Sequence, residues 1–191
     1  AMSILRQLPG HAGIPFVAGV ASMQLGHMPL AAELLKRAHL LNPSRADYAA
    51  QYARALASGR FTRESCDVAD KAVALGPADP MTLDTLGVVY TQANEHAKAV
   101  AMFRQAVARM PEHASYHFNL ATSLTFSGDL QQAEQEYLIC LQHDPTYWKA
   151  YLALSQLRRQ QPEDNHVKTW QARLAEHRHL REARLYLQLA L

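Results

Sequence analysis

Residues 80–113 read PMTLDTLGVVYTQANEHAKAVAMFRQAVARMPEH, and this stretch decides how the rest of the chain is read. Leu83, Leu86, Gly87 and Tyr90 fall at i, i+3, i+4 and i+7, the spacing of one face of a helix. Ala99, Phe103 and Ala106 carry a second run of small and large residues, which Pro111 closes. Proline lacks an amide donor and restricts the residue before it, so it stops a helix and turns the chain. The stretch therefore predicts two helices. Small Gly87, Ala99 and Ala106 let them approach closely, and large Tyr90 and Phe103 fill the space beside them.

The closing proline recurs outside this stretch. Pro9, Pro43, Pro77, Pro111 and Pro145 stand 34 residues apart, which defines units 12–45, 46–79, 80–113 and 114–147. Small residues share one offset at Ala38, Ala72, Ala106 and Cys140, and another at Ala31, Ser65, Ala99 and Ala133. Leu35, Ala69, Phe103 and Tyr137 occupy a third. A fixed period of this length marks a repeat architecture. Helices are expected near 12–25, 29–41, 46–58, 62–75, 80–92, 95–109, 114–126, 130–142 and 148–160, with Ser127-Gly128-Asp129 breaking the hairpin of the last full unit.

The pattern resembles the tetratricopeptide repeat (TPR), which has an aromatic, Leu-Gly, Tyr, Ala, Phe, Ala and Pro at fixed offsets. Unit 80–113 carries most of these residues, and unit 114–147 follows with Leu120-Ala121, Leu124, Ala133, Tyr137 and Pro145. Unit 12–45 keeps Ala18-Gly19, Ala31, Leu35, Ala38 and Pro43, with Pro15 and Ser22 in place of aromatics. Unit 46–79 keeps Tyr52-Ala53, Leu56, Ala72 and Pro77. The resemblance implies an all-α fold: a right-handed TPR superhelix, or α-solenoid, of antiparallel helix pairs.

The ends depart from this register. Residues 1–11 are expected to be the remnant of a preceding helix or an N-terminal cap, and Ala1 ahead of Met2 reads as a cloning remnant. Residues 148–182 read as a degenerate fifth repeat, in which Gln161-Pro162-Glu163-Asp164 suits the start of a helix near 164–178. Tyr186 and Leu189-Ala190 make 183–191 the expected start of a truncated sixth repeat. Leu185, Leu187, Leu189 and Leu191 would then form an uncovered stripe that seeks cover either by folding back on the helix near 164–178 or by pairing with another molecule, and weak self-association through the C-terminal helix is expected.

Composition narrows the function classes. The chain has 191 residues, 49% hydrophobic and 19% charged, which excludes disorder driven by charge. Only 8 Gly and 9 Pro supply too few turns for a β-sandwich or barrel. A net charge of +2 is too small for a whole-chain nucleic-acid or membrane field. No long apolar run or leader pattern is present, so a cytoplasmic protein without nucleic-acid or membrane partners is expected. Charge is uneven, however: residues 148–191 carry a net +4 and residues 1–147 a net −2. Arg173, Arg178, Arg181 and Arg184 read as a solvated helix face, the alternative being a site for an acidic partner.

Catalytic patterns are absent from the sequence. It holds no phosphate loop, no G-x-G-x-x-G, no H-E-x-x-H and no G-x-S-x-G. Cys66 and Cys140 lack C-x-x-C spacing, and Cys140 takes the small offset where other units have Ala, which suits a packed thiol. His113 and His117 stand at i, i+4 and would share a face if their helix begins early, but two ligands are too few for zinc. His177 and His179 point to different sides of a helix. No catalytic residue, cofactor or metal is expected in this segment.

The TPR resemblance implies a concave groove lined by the first helix of each unit. Carried over by offset, its residues are Phe16, Val20 and Met23, then Asp47, Gln51 and Arg54, then Asp84, Thr85, Val88 and Gln92. Phe118, Asn119, Thr122 and Phe126 follow, then Lys149, Gln156 and Arg159. Phe16 and Ala50 occupy the lysine positions of the clamp that chaperone-tail-binding TPR proteins use, so that clamp is missing. Asn119 matches the groove asparagine of the O-linked GlcNAc transferase array, but Val17, Gln51, Thr85 and Ala153 break that ladder. The expected function is a scaffold that binds a protein or peptide partner, with Phe118 and Phe126 either anchoring it or packing within the array. In an alternative reading, Tyr147–Leu154, Pro162-Glu163-Asp164 and Ala183–Ala190 resemble the junction of bacterial TPR-sulfotransferase fusions. That resemblance implies a recognition region ahead of a catalytic domain, whose Gly-x-Pro-Arg-Ser-Gly-Thr loop this chain lacks.

Overall fold

Both helix series keep the 34-residue step. The computed structural model describes residues 11–157 and 166–191, in which every regular element is a helix. They are α1 (Gly13–Gln24), α2 (Met28–Leu41), α3 (Ala46–Ser58), α4 (Thr62–Ala74), α5 (Pro80–Gln92), α6 (His96–Arg109), α7 (Ala114–Phe126), α8 (Leu130–His143), α9 (Trp148–Leu157), α10 (Val167–Glu176) and α11 (Arg181–Ala190). First helices begin at 46, 80, 114 and 148, and second helices at 28, 62, 96 and 130. Pro43, Pro77, Pro111 and Pro145 lie in the connections just past the second helices, as their chemistry requires. The expected N-terminal remnant with Pro9, residues 158–160 with Arg159, and the Pro162 helix start all fall outside the described residues.

The turn inside each helix pair is one device used four times. Gly26, Arg60, Asn94 and Gly128, again 34 apart, take left-handed backbone with φ of 79°, 64°, 60° and 84°. In each case the next amide donates to a carbonyl five residues back. These bonds are His27 to Ser22 at 2.9 Å, Phe61 to Leu56 at 3.0 Å, Glu95 to Tyr90 at 2.9 Å and Asp129 to Leu124 at 3.0 Å. They satisfy carbonyls that a helix end leaves orphaned. Asp79 and Asp129 serve the opposite end, accepting from the amides of Thr82 at 2.8 Å and Gln132 at 3.2 Å as N-caps of α5 and α8.

Two compact units divide the chain, Ala1–Ala106 and Val107–Leu191, with the boundary inside α6. In the first, α1 packs on α2, α2 on α3, and α5 on both α3 and α4. Met23, Ala31, Leu35 and Ala55 form a buried cluster there. Missing side chains set the helix separation: a Cβ on Gly87 would lie 2.5 Å from a Phe103 ring carbon, and one on Gly19 would lie 2.7 Å from Leu35 Cγ. Between repeats, Asp70 on α4 accepts from the Tyr90 hydroxyl on α5 at 2.6 Å and from Lys98 Nζ on α6 at 2.9 Å. Lys98 also sits 5.3 Å above the centre of the Tyr90 ring. Burial works to raise the Asp70 carboxyl, but the bonds from Tyr90 and Lys98 outweigh it and hold the group below its ordinary value.

In the second unit α7 packs on α8, α8 on α9, and α11 on both α9 and α10. Helix α11 buries Ala183 and Leu187 completely while Leu185 stays 53% and Leu189 61% exposed. Leu187 therefore leaves the expected uncovered stripe, because the Ala183–Leu187 face of α11 packs on α9 and α10, while the Leu189 side chain looks outward. Among the described residues no helix is long and apolar enough to cross a membrane.

Gly87→Leu should destabilise the protein by roughly 1–3 kcal/mol, because its side chain must displace the Phe103 ring. Urea unfolding checks this, and an unchanged midpoint would remove Gly87 from the close contact. Asp70 gives a pH signature. Its folded value is depressed, so its contribution is present above the unfolded carboxylate value of about 3.9 and is lost as pH falls through the folded value. Asp70→Asn should lower stability at neutral pH and flatten the acid limb of a stability–pH curve measured by thermal melting.

Candidate functional site

Within each compact unit the structure gathers several of the expected groove residues into a cleft. In the first unit, Val20, Met23, Gln51 and Arg54 line a cleft of about 290 Å³ together with Gln24, Met28, Ser58 and Met81. Gln51 Nε2 donates to Thr85 Oγ1 at 3.4 Å, and its Oε1 is buried without a partner. Thr85 is itself only 4% exposed and lies beneath the surface. Asp84 and Val88 are half-buried on α5 and Gln92 is exposed at its end, and none of the three lines this cleft.

Two other expected residues have structural work. The Phe16 ring stacks on Tyr48, with centroids 4.4 Å apart, and packs on the Met23 cluster. Asp47 accepts from Arg45 Nε at 2.8 Å, a bond that holds its carboxyl below the ordinary value against the opposing effect of burial.

In the second unit, Phe118, Thr122, Phe126 and Gln156 come together around a cleft of about 250 Å³. Thr125, Tyr137, Ala153 and Leu157 complete it. The two phenylalanines differ. Phe118 tilts against Tyr137 at 5.6 Å and Tyr147 at 4.9 Å, so its ring is a packed wall, whereas Phe126 is 65% exposed. Thr122 Oγ1 donates to the Phe118 carbonyl at 2.8 Å and meets Tyr137 Oη at 3.1 Å. Asn119 is half-buried and does not line this cleft. Lys149 lines a different one, of about 230 Å³, with Tyr147, Trp148, Glu182 and Tyr186 among its neighbours. Arg159 lies outside the described residues.

Against this geometry a family model described as tetratricopeptide repeat matches residues 85–147. Those residues are similar to tetratricopeptide repeats. Two curated relatives share shorter stretches. The TPR repeat-containing thioredoxin TTL4 of Arabidopsis thaliana is 36% identical over 70 residues, 37% of this chain and 10% of that protein. Uncharacterized protein y4yS of Sinorhizobium fredii is 29% identical over 91 residues, 48% of this chain and 50% of that one. The chain thus spans at most half the length of either relative.

Solved TPR-type structures match far more of the chain. YrrB, described as a TPR protein with an unusual peptide-binding site, aligns with a TM-score of 0.65 at 15% identity, covering 99% of this chain and 89% of that one. MamA from Desulfovibrio magneticus RS-1 gives 0.66 at 17%, covering 94% and 92%. PilF of Pseudomonas aeruginosa gives 0.69 at 19%, covering 94% and 74%. At these identities the likeness is one of fold, an all-helical tetratricopeptide-repeat array.

The histidines singled out by their spacing have packing roles. His113 is the N-cap of α7 and stacks on Tyr116 at 4.0 Å, so it does not share a helical face with His117. His117 is 4% exposed, with Nδ1 2.6 Å from Glu136 Oε2 and Nε2 2.7 Å from the Pro111 carbonyl. It ties α7 to α8 and to the connection before it. His177 packs at 5.2 Å against Trp148. Among the described residues no three His, Cys, Asp or Glu side chains gather around a metal-sized site. Burial pushes the Cys140 thiol up to about 12, and it raises the half-buried Cys66 as well, so neither favours a thiolate.

Sequence reasoning missed Met28, Met81 and Tyr137 as lining residues. Met81 was within reach, since it holds the offset of Asp47 and Lys149 in their units. Tyr137 reads as a core filler and is one, at 3% exposure, but its edge also reaches the cleft.

Proposed function

We propose that this chain is a peptide-binding scaffold, whose first helices present the ligand surface and which performs no chemistry in this segment. The observation that carries the reading is the convergence of Phe118, Thr122, Phe126 and Gln156 from α7 and α9 on one open cleft. Exposed Phe126 supplies an aromatic anchor, while Thr122 and Gln156 supply polar groups for a peptide backbone. Packed Phe118 and Tyr137 keep the wall rigid, which lowers the ordering cost of binding. The same surface would serve as the recognition region of a sulfotransferase fusion if the run at 147–191 marks such a junction. A phosphate-loop motif encoded beyond Leu191 decides between the two readings.

Peptides selected on the protein by display should lose roughly tenfold in affinity on Phe118→Ala with Phe126→Ala. Phe126→Ala alone, at an exposed position, separates lost contact from lost packing. Unchanged affinity in fluorescence anisotropy would move the binding surface elsewhere.

A second surface supports self-association: Leu185, Leu189 and Leu191 stand exposed along α11 and its end. Light scattering across a concentration series should show weak oligomers that Leu185→Glu with Leu189→Glu abolishes. A single monomeric mass at every concentration would count against it.

A further inference from the structure

The cleft of the first unit differs chemically from the aromatic cleft of the second. Its apolar walls are Val20, Met23, Met28 and Met81, and Met81 is 68% exposed. Methionine is unbranched and polarisable, so such walls adapt to apolar side chains of varied shape. Arg54 contributes the one charge in this lining. Its guanidinium makes no ion pair among the described residues, whereas nearby Asp47 is already held by Arg45 through both oxygens. At the floor, Gln51 spends its amide N–H on Thr85 and leaves Oε1 without a donor. A buried acceptor of that kind ordinarily has a partner.

Resting on the peptide-scaffold reading, we infer that this cleft selects an extended peptide segment carrying an apolar side chain two residues from an aspartate or glutamate. The apolar side chain enters between Met23, Met28 and Met81. The carboxylate pairs with Arg54, whose planar fork matches it in two parallel hydrogen bonds. In an extended strand, side chains two residues apart lie on one face about 7 Å from each other, so one segment reaches both features.

The test uses two random ten-residue display libraries, one blocked at its C-terminus and one ending in a free carboxylate, screened against the intact chain and its Arg54→Glu and Arg54→Gln variants. From the blocked library the unaltered protein should enrich peptides with Asp or Glu two residues from Met, Leu, Ile or Phe. In the best of these, replacing the acid by its amide should weaken binding roughly threefold to tenfold. Arg54→Gln should erase the acidic preference, and Arg54→Glu should replace it with Lys or Arg at the same spacing. Blocked peptides that bind with no acidic preference, or with one that Arg54→Glu leaves intact, overturn the inference while the scaffold reading stands. Binding confined to the free-carboxylate library overturns it in favour of a chain terminus. Enrichment from neither library removes the scaffold reading, and this inference with it.

Discussion

In two of the helix pairs, a hydrogen atom where a side chain could be sets the distance between the helices. Gly87 leaves room for the Phe103 ring, which would otherwise lie 2.5 Å from a Cβ, and Gly19 does the same for Leu35. Protein interiors tolerate little error in volume, so each glycine needs its large partner as much as the partner needs the glycine. With that separation fixed, neighbouring first helices within a compact unit pack against each other, as α3 and α5 do. The clefts follow from this, because a cleft between parallel faces exists only if each hairpin holds its depth. Asp70 then ties a helix of one repeat to Tyr90 and Lys98 of the next.

The two clefts show how one scaffold carries different chemistry at the same offsets. At the sixth residue of a unit stand Val17, Gln51, Thr85, Asn119 and Ala153, of which Gln51 and Ala153 line a cleft. At the ninth stand Val20, Arg54, Val88, Thr122 and Gln156, of which all but Val88 line one. Position in the repeat therefore sets access, and residue type sets what is recognised there. This separation lets the core offsets stay fixed while the ligand surface varies.

Much of the fold was legible because its signals are periodic. The prolines, the small residues and the Gly87–Phe103 pairing all recur or interlock at fixed distances, and the helices lie where those distances put them. Signals without a characteristic residue type were not legible. Arg60 and Asn94 occupy the left-handed position that Gly26 and Gly128 announce, and only the backbone reveals the equivalence. For the site, offsets found Val20, Arg54, Thr122 and Phe126, but they could not tell that Thr85 sinks below the surface or that Phe118 is held by Tyr137 and Tyr147. Those outcomes depend on neighbouring repeats, whose side chains fill or leave the space above each offset. His113 followed the same logic: one residue of helix start decides whether it shares a face with His117.

The recurring left-handed turn also has a consequence in time. Its closing bonds span five residues, from His27 to Ser22, Phe61 to Leu56, Glu95 to Tyr90 and Asp129 to Leu124. A hairpin so closed uses only its own stretch of chain, so little loop entropy is spent before contacts form, and topologies of this kind fold fast. On a ribosome each pair can therefore close as soon as its second helix emerges, without waiting for the residues that follow. The apolar face of each hairpin is then covered as the repeat that follows it emerges and stacks on it.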